Sequence, residues 1–90
     1  MIGVNEYIYV FEKFLFPICE EFNPELVFIS SGFDSAINDP LGGLGVEIFG
    51  YEYMTRRLKE LANGKVIIVL EGGYSPEIIA QGVHSCIKGL

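Results

Sequence analysis

The sequence predicts an α/β fold: a parallel βαβ fragment with flanking helices, part of a larger three-layer α/β/α domain. Three observations carry that prediction. Two short apolar runs, LVFI at residues 26–29 and VIIVL at residues 66–70, do not alternate with polar residues, which is the pattern of strands buried on both faces of a parallel sheet. A helical segment separates them, and strand–helix–strand implies a right-handed crossover and a parallel pair. Two strands are too few to make a sheet covered on both faces. A 90-residue chain of this pattern therefore either assembles with copies of itself or is an incomplete domain, residues 1–90 being one segment of it; the second is favoured.

The elements follow in order. Residues 5–22 carry helical periodicity, with Ile8, Phe11, Leu15, Ile18 and Phe22 at spacings of three and four. Asn5 is the expected cap, and Pro17 is expected to kink or divide the helix. Asn23-Pro24 breaks it before the first strand. Residues 30–45, rich in Gly, Asp and Ser, read as a long loop. A helix over residues 49–62 follows, with Tyr51, Met54, Leu58 and Leu61 as its apolar stripe. Arg56, Arg57, Lys59 and Glu60 are expected to face away, and Asn63-Gly64 to stop it. After the second strand, Ser75 caps a last helix with Pro76 in its first position and Glu77 in its first turn. Its stripe is Ile79, Val83, Cys86 and Leu90.

Composition narrows the function. Half the residues are apolar, too many for a disordered chain and more than a domain of this size buries comfortably. A net charge of −6 argues against direct binding to nucleic acid or an anionic membrane and is compatible with a basic peptide. Cys19 and Cys86 form no CxxC, so free thiols in a reducing compartment are expected rather than a disulfide framework or a cysteine zinc site. No basic leader with an apolar core is visible, and no apolar run reaches the ~20 residues of a membrane span. The expected location is intracellular, not secreted.

Ligands of parallel α/β sheets bind beyond the carboxyl ends of the strands. Asp34 follows the first strand there, and Gly72, Gly73 and Tyr74 follow the second. A carboxylate suits a metal such as Zn²⁺. A tyrosine hydroxyl is a neutral donor at pH 7 and can stabilise an oxyanion. Two glycines leave room for a narrow channel. These residues fit metal-assisted amide hydrolysis, but an Asp in a loop also serves as a turn or cap residue, and Gly-Gly-Tyr before a helix also serves as a tight turn with a packing aromatic. A nucleotide-binding half-domain is the weakest alternative, with no GxGxxG, no GxxxxGK[ST], and Glu71 placed to repel phosphate.

GFDSAINDPLGG, followed about thirty residues later by LEGGYSPEII, resembles the C-terminal part of the zinc-dependent histone deacetylase family. The likeness extends over nearly the whole chain. Glu71 before Gly72-Gly73-Tyr74 resembles the class II members and their acetylpolyamine-amidohydrolase relatives. The resemblance implies that Asp34 is a ligand of a catalytic Zn²⁺ and that Tyr74 polarises the acetyl carbonyl and stabilises the oxyanion. It implies that Leu41 forms a wall, and Gly72 and Gly73 the floor, of a substrate tunnel. Asp39-Pro40 reads as a loop-shaping turn, and Asn38, where many relatives have Gly, as a left-handed residue.

The family's His-His pair and its Asp-x-His zinc ligands are absent from these residues; the single histidine, His84, reads as a packed or surface helix residue. The resemblance thus implies a catalytic segment that is inactive alone and needs the upstream part of its own domain. Its partner would be an acetyl-lysine substrate, whether histone, tubulin or another protein, or an acetylpolyamine. Its residence would be nucleus or cytoplasm, with a role in chromatin regulation among those implied. The competing reading is a catalytically inactive α/β fragment that self-associates or serves as an interaction module.

Overall fold

In the computed structural model, which describes residues 1–90 throughout, the first helix is interrupted rather than kinked. α1 (Val4–Val10) passes into a π-helical turn (Phe11–Leu15) and then into α2 (Phe16–Phe22). Pro17 accounts for the insertion: it has no N–H to offer the carbonyl four residues back, and its ring crowds that carbonyl. The π turn widens the backbone just ahead of it, with the Phe16 amide donating to the Phe11 carbonyl five residues earlier. One inserted residue turns everything downstream by about 100°. The expected stripe is therefore broken: Phe11 and Phe16 are buried, while Leu15, Ile18 and Phe22 are exposed. Asn5 is not the cap. The helix starts after Gly3, whose amide donates to the Glu6 carboxylate at 2.8 Å. Asn23 ends the helix in the left-handed conformation, φ 54°.

β1 (Val27–Ser31) starts one residue later than predicted and runs on through both serines, and β2 (Val66–Leu70) lies where predicted. They pair in parallel, Val27 opposite Val66 through Ser31 opposite Leu70. Only one face of this sheet is covered. Val27 and Ile68 pack against the helices and Ser31 is buried, while Phe28, Ile67 and Val69 on the other face are 65%, 46% and 44% exposed. Within these residues the chain covers one sheet face only, as expected of two strands, which are too few for a sheet covered on both faces. A continuous apolar run reports what a strand needs, not what the same chain supplies.

α3 (Phe49–Lys59) is shorter than predicted; Glu60 caps it, and Ala62–Gly64 form a 3₁₀ turn with Asn63 at φ 54° and Gly64 at φ 78°. Tyr51, Thr55 and Leu61 are buried and Met54 and Leu58 half-buried. Arg57 does not face away. Its guanidinium sits 3.8 Å from the centre of the Phe16 ring and donates to the Glu12 carboxylate through Nε at 2.7 Å and Nη2 at 3.0 Å. Tyr53 donates to the same carboxylate at 2.6 Å. A planar cation that stacks and forks at once joins α3 to the π turn.

α4 (Pro76–Gly89) opens as predicted, the Ser75 hydroxyl accepting the Ile78 amide at 3.5 Å. Of the predicted stripe, Ile79, Val83 and Cys86 pack on the core and Leu90 is 44% exposed; Gly82, Ser85 and Gly89 are buried beside them. Small residues let other elements come close. A Cβ on Gly82 would lie 2.3 Å from the Phe33 ring, and one on Gly89 would lie 2.7 Å from the Glu52 carbonyl oxygen. Ser85 binds the first turn of α3, donating to the Ile48 carbonyl at 2.8 Å and accepting the Glu52 amide at 3.1 Å. The long loop is no surface appendage: Phe33, Ala36 and Val46 from it lie at the centre of the core.

Donors from Arg57 and Tyr53 hold the Glu12 carboxyl down to about 2, from an ordinary 4.5. A depressed carboxyl pKa stabilises the fold above its ordinary value and loses that contribution as pH falls toward the folded value. An NMR titration should place the Glu12 midpoint near 2, with the acid-induced loss of stability spread between 4.5 and 2. Arg57→Met should bring the midpoint back toward 4.5.

Candidate active site

Parallel pairing sends two loops off the same edge of the sheet. The ladder continues past the strands, with the Glu71 amide donating to the Ser31 carbonyl at 2.9 Å and the Phe33 amide to the Gly72 carbonyl at 2.8 Å. Asp34 comes next, and its carboxylate lies between two glycines. A Cβ on Gly32 would stand 3.0 Å from Oδ1, and one on Gly72 would stand 3.3 Å from Oδ2. Side chains at either place would cover the carboxylate. Asp34 and Gly72, from separate stretches of sequence, are thus brought into one site.

Gly73 has φ 138°, a conformation that side chains rarely adopt, and a Cβ there would lie 2.9 Å from Ile79. Each glycine of the pair therefore has a neighbour inside the chain, Gly72 the Asp34 carboxylate and Gly73 the side of α4, which openness toward a substrate does not explain. Tyr74 follows with its side chain 54% exposed at the rim, and Leu41, 71% exposed, stands on the facing loop. His84 is exposed on α4, as a surface helix residue.

Asp39 has a larger part than the sequence suggests. It is 8% exposed; Oδ1 accepts the amides of Leu41 and Gly42 at 2.8 and 2.9 Å, and Oδ2 accepts the amide of Tyr74 at 2.9 Å. Bonds to the second and third residues on are what an Asp-Pro turn predicts. The bond to Tyr74 has no trace in the sequence. Burial pushes the Asp39 carboxyl up, and the amides of Leu41, Tyr74 and Gly42 together outweigh it, leaving the pKa lowered. Asn38 takes the expected left-handed backbone, φ 71°. The Ser35 hydroxyl lies 2.6 Å from that of Tyr51, whose pKa burial raises. At the sheet edge Ser30 donates to Glu71 at 2.9 Å.

No three His, Cys, Asp or Glu side chains come together in the chain as a metal site. Asp34 fits a metal as one ligand of a set: a half-buried hard oxygen donor flanked by two glycines, with no side-chain hydrogen bond within the chain. The chemistry on hand is one unpartnered carboxylate and one exposed tyrosine.

The histone deacetylase domain family matches residues 1–90. Histone deacetylase 5 of Arabidopsis thaliana is 44% identical over 88 residues, which are 98% of this chain and 13% of that protein. The chain belongs to the histone deacetylase family. Its fold agrees: the structure of the histone deacetylase Clr3 superposes with a TM-score of 0.97 at 39% identity, over 99% of this chain and 15% of that one. Polyamine deacetylase HDAC10 of Mus musculus is 42% identical over 89 residues, 99% of this chain and 13% of that protein. This deacetylase-family chain spans between 9% and 16% of the length of the curated relatives it matches.

Gly42 is the tightest point of the site, where a Cβ would fall 1.5 Å from the Asp34 carbonyl oxygen. Gly42→Ala should destabilise the fold by about 3 kcal/mol or more, the upper part of the overpacking range, because the obstacle is backbone. Urea denaturation beside Gly43→Ala, which meets no neighbour but sits at φ 68°, separates the clash from backbone strain.

Proposed function

We propose that this chain is the C-terminal segment of the catalytic domain of a class II-like, zinc-dependent lysine deacetylase. The observation that carries the reading is the Asp34 carboxylate, without a hydrogen-bond partner in the chain, held against Gly72 in the loop that presents Tyr74. Asp34 is one zinc ligand; the remaining ligands and the histidines that move protons lie in the upstream part of the same domain. Bound zinc supplies Lewis acidity toward a carbonyl and a water. Tyr74 donates its hydroxyl to the oxyanion as the amide is attacked. Leu41 forms part of the wall around the acetyl-lysine chain, with Gly72 and Gly73 at its floor.

Glu71 ahead of Gly72-Gly73-Tyr74 supports the class II-like assignment. The uncovered sheet face of Phe28, Ile67 and Val69 supports a segment whose third layer comes from elsewhere in the domain. The substrate class is an acetylated lysine protein such as a histone, with an acetylpolyamine as the second candidate. The enzyme resides in nucleus or cytoplasm and, acting on histones, regulates chromatin. The chain by itself is inactive. The same uncovered apolar surfaces favour one other reading, an inactive fragment that self-associates.

In the complete domain, Tyr74→Phe should lower kcat by at least ~100-fold, the loss of one oxyanion donor, with zinc content unchanged. Full activity in that variant would sink the assignment. Equilibrium dialysis of the 90-residue chain should show no tight zinc binding. Stoichiometric zinc that disappears in Asp34→Ala would mean that copies of the chain build a site together, the outcome of the second reading.

A further inference from the structure

We propose that Asp39 is a positioning residue for Tyr74. The inference rests on the role given to Tyr74 above and concerns how that residue is held. A turn at Asp39-Pro40 needs only Oδ1, which takes the Leu41 and Gly42 amides at 2.8 and 2.9 Å. Oδ2 is left for a group 35 positions away in sequence, the Tyr74 amide at 2.9 Å. Asp39 as a residue is 8% exposed, and these three N–H groups satisfy its carboxylate.

Tyr74 needs such an anchor. Two glycines precede it, the second at φ 138°, and the residue is 54% exposed. Little packing fixes the ring, so the backbone decides where the hydroxyl stands. The other end of the anchor is Gly42, whose backbone is packed directly on that of Asp34. One carboxylate thereby ties the Tyr74 backbone to the loop that carries Asp34 and sets the spacing between phenol and metal ligand. Only a carboxylate does this. Asparagine has one acceptor oxygen, and its NH₂ would meet either the Tyr74 N–H or the Leu41 and Gly42 pair, donor against donor.

The test is a double-mutant cycle in the complete, zinc-loaded domain, with Asp39→Asn, Tyr74→Phe and both together. Asp39→Asn should lower kcat by about tenfold or more, with KM changed less than about twofold and zinc content unchanged, as for a misplaced catalytic group. In the Tyr74→Phe background it should change kcat by less than about twofold, because the group it positions is gone. Wild-type kcat in Asp39→Asn overturns the proposal, and so does an equal fold-loss in both backgrounds, which marks a general structural role. If Tyr74→Phe alone keeps full kcat, the reading of Tyr74 fails and this inference falls with it. Should Asp39→Asn not fold, hydrogen exchange of the wild-type Tyr74 amide decides. Strong protection supports the anchor, and exchange at the rate of an unprotected peptide overturns it.

Discussion

Burial of the Phe33 ring is the constraint on which the rest of the molecule depends. Phe33 is 1% exposed, lies in the loop after β1 and packs on Tyr51 of α3, the ring centres 5.0 Å apart. On its other side α4 comes so near that only Gly82 fits. Its amide is bonded to the Gly72 carbonyl in the loop after β2. One residue therefore gathers two helices and both loops, and the next residue is Asp34. The position of the unpartnered carboxylate follows from the packing of the core, since burying an aromatic ring is worth a few kcal/mol and loop backbone alone is pliable.

The loop that would read as a surface connection is for this reason the centre of the core. Phe33, Ala36 and Val46 are buried while Phe22, Phe28 and Ile18 in regular elements are not. The α1–α2 helix shows the same inversion. Its π turn brings Phe11 and Phe16 inward together and leaves Ile18 and Phe22 at the surface. With one sheet face also uncovered, the chain carries more apolar surface than it can bury. That excess is physically sensible in a deacetylase-family segment that spans a small share of its relatives' length.

Polar groups are handled differently on the two sides of the molecule. Glu12 and Arg57 form a partly solvated pair that joins helices and steadies a seam. Near the site one carboxylate is held by backbone amides and another is left without a partner: Asp39 takes three N–H donors, and Asp34 is half-buried between Gly32 and Gly72. A satisfied carboxylate fixes geometry, and an unpartnered one is free to bind something. The two aspartates of one loop divide those roles by their neighbours alone.

The sequence by itself determined the order of elements, β2 to the residue, the start of α4 at Ser75-Pro76, the helix breaks at Asn23 and Asn63 and the left-handed Asn38, because apolar runs, caps and φ preferences are local. It also determined that Asp34 and Gly72 leave the sheet at one edge, since parallel strands allow nothing else. It did not determine the buried face of the first helix, because a π turn ahead of Pro17 changes the phase without changing composition. The inward turn of Arg57 was equally hidden, since it depends on Phe16 and Glu12 from another helix. So were the neighbours that require Gly42, Gly73 and Gly82. The bond from Asp39 to Tyr74 belongs to the tertiary structure entirely. It joins residues with no periodic or local relation, and only the packing of two loops across a parallel pair of strands brings that carboxylate to that amide.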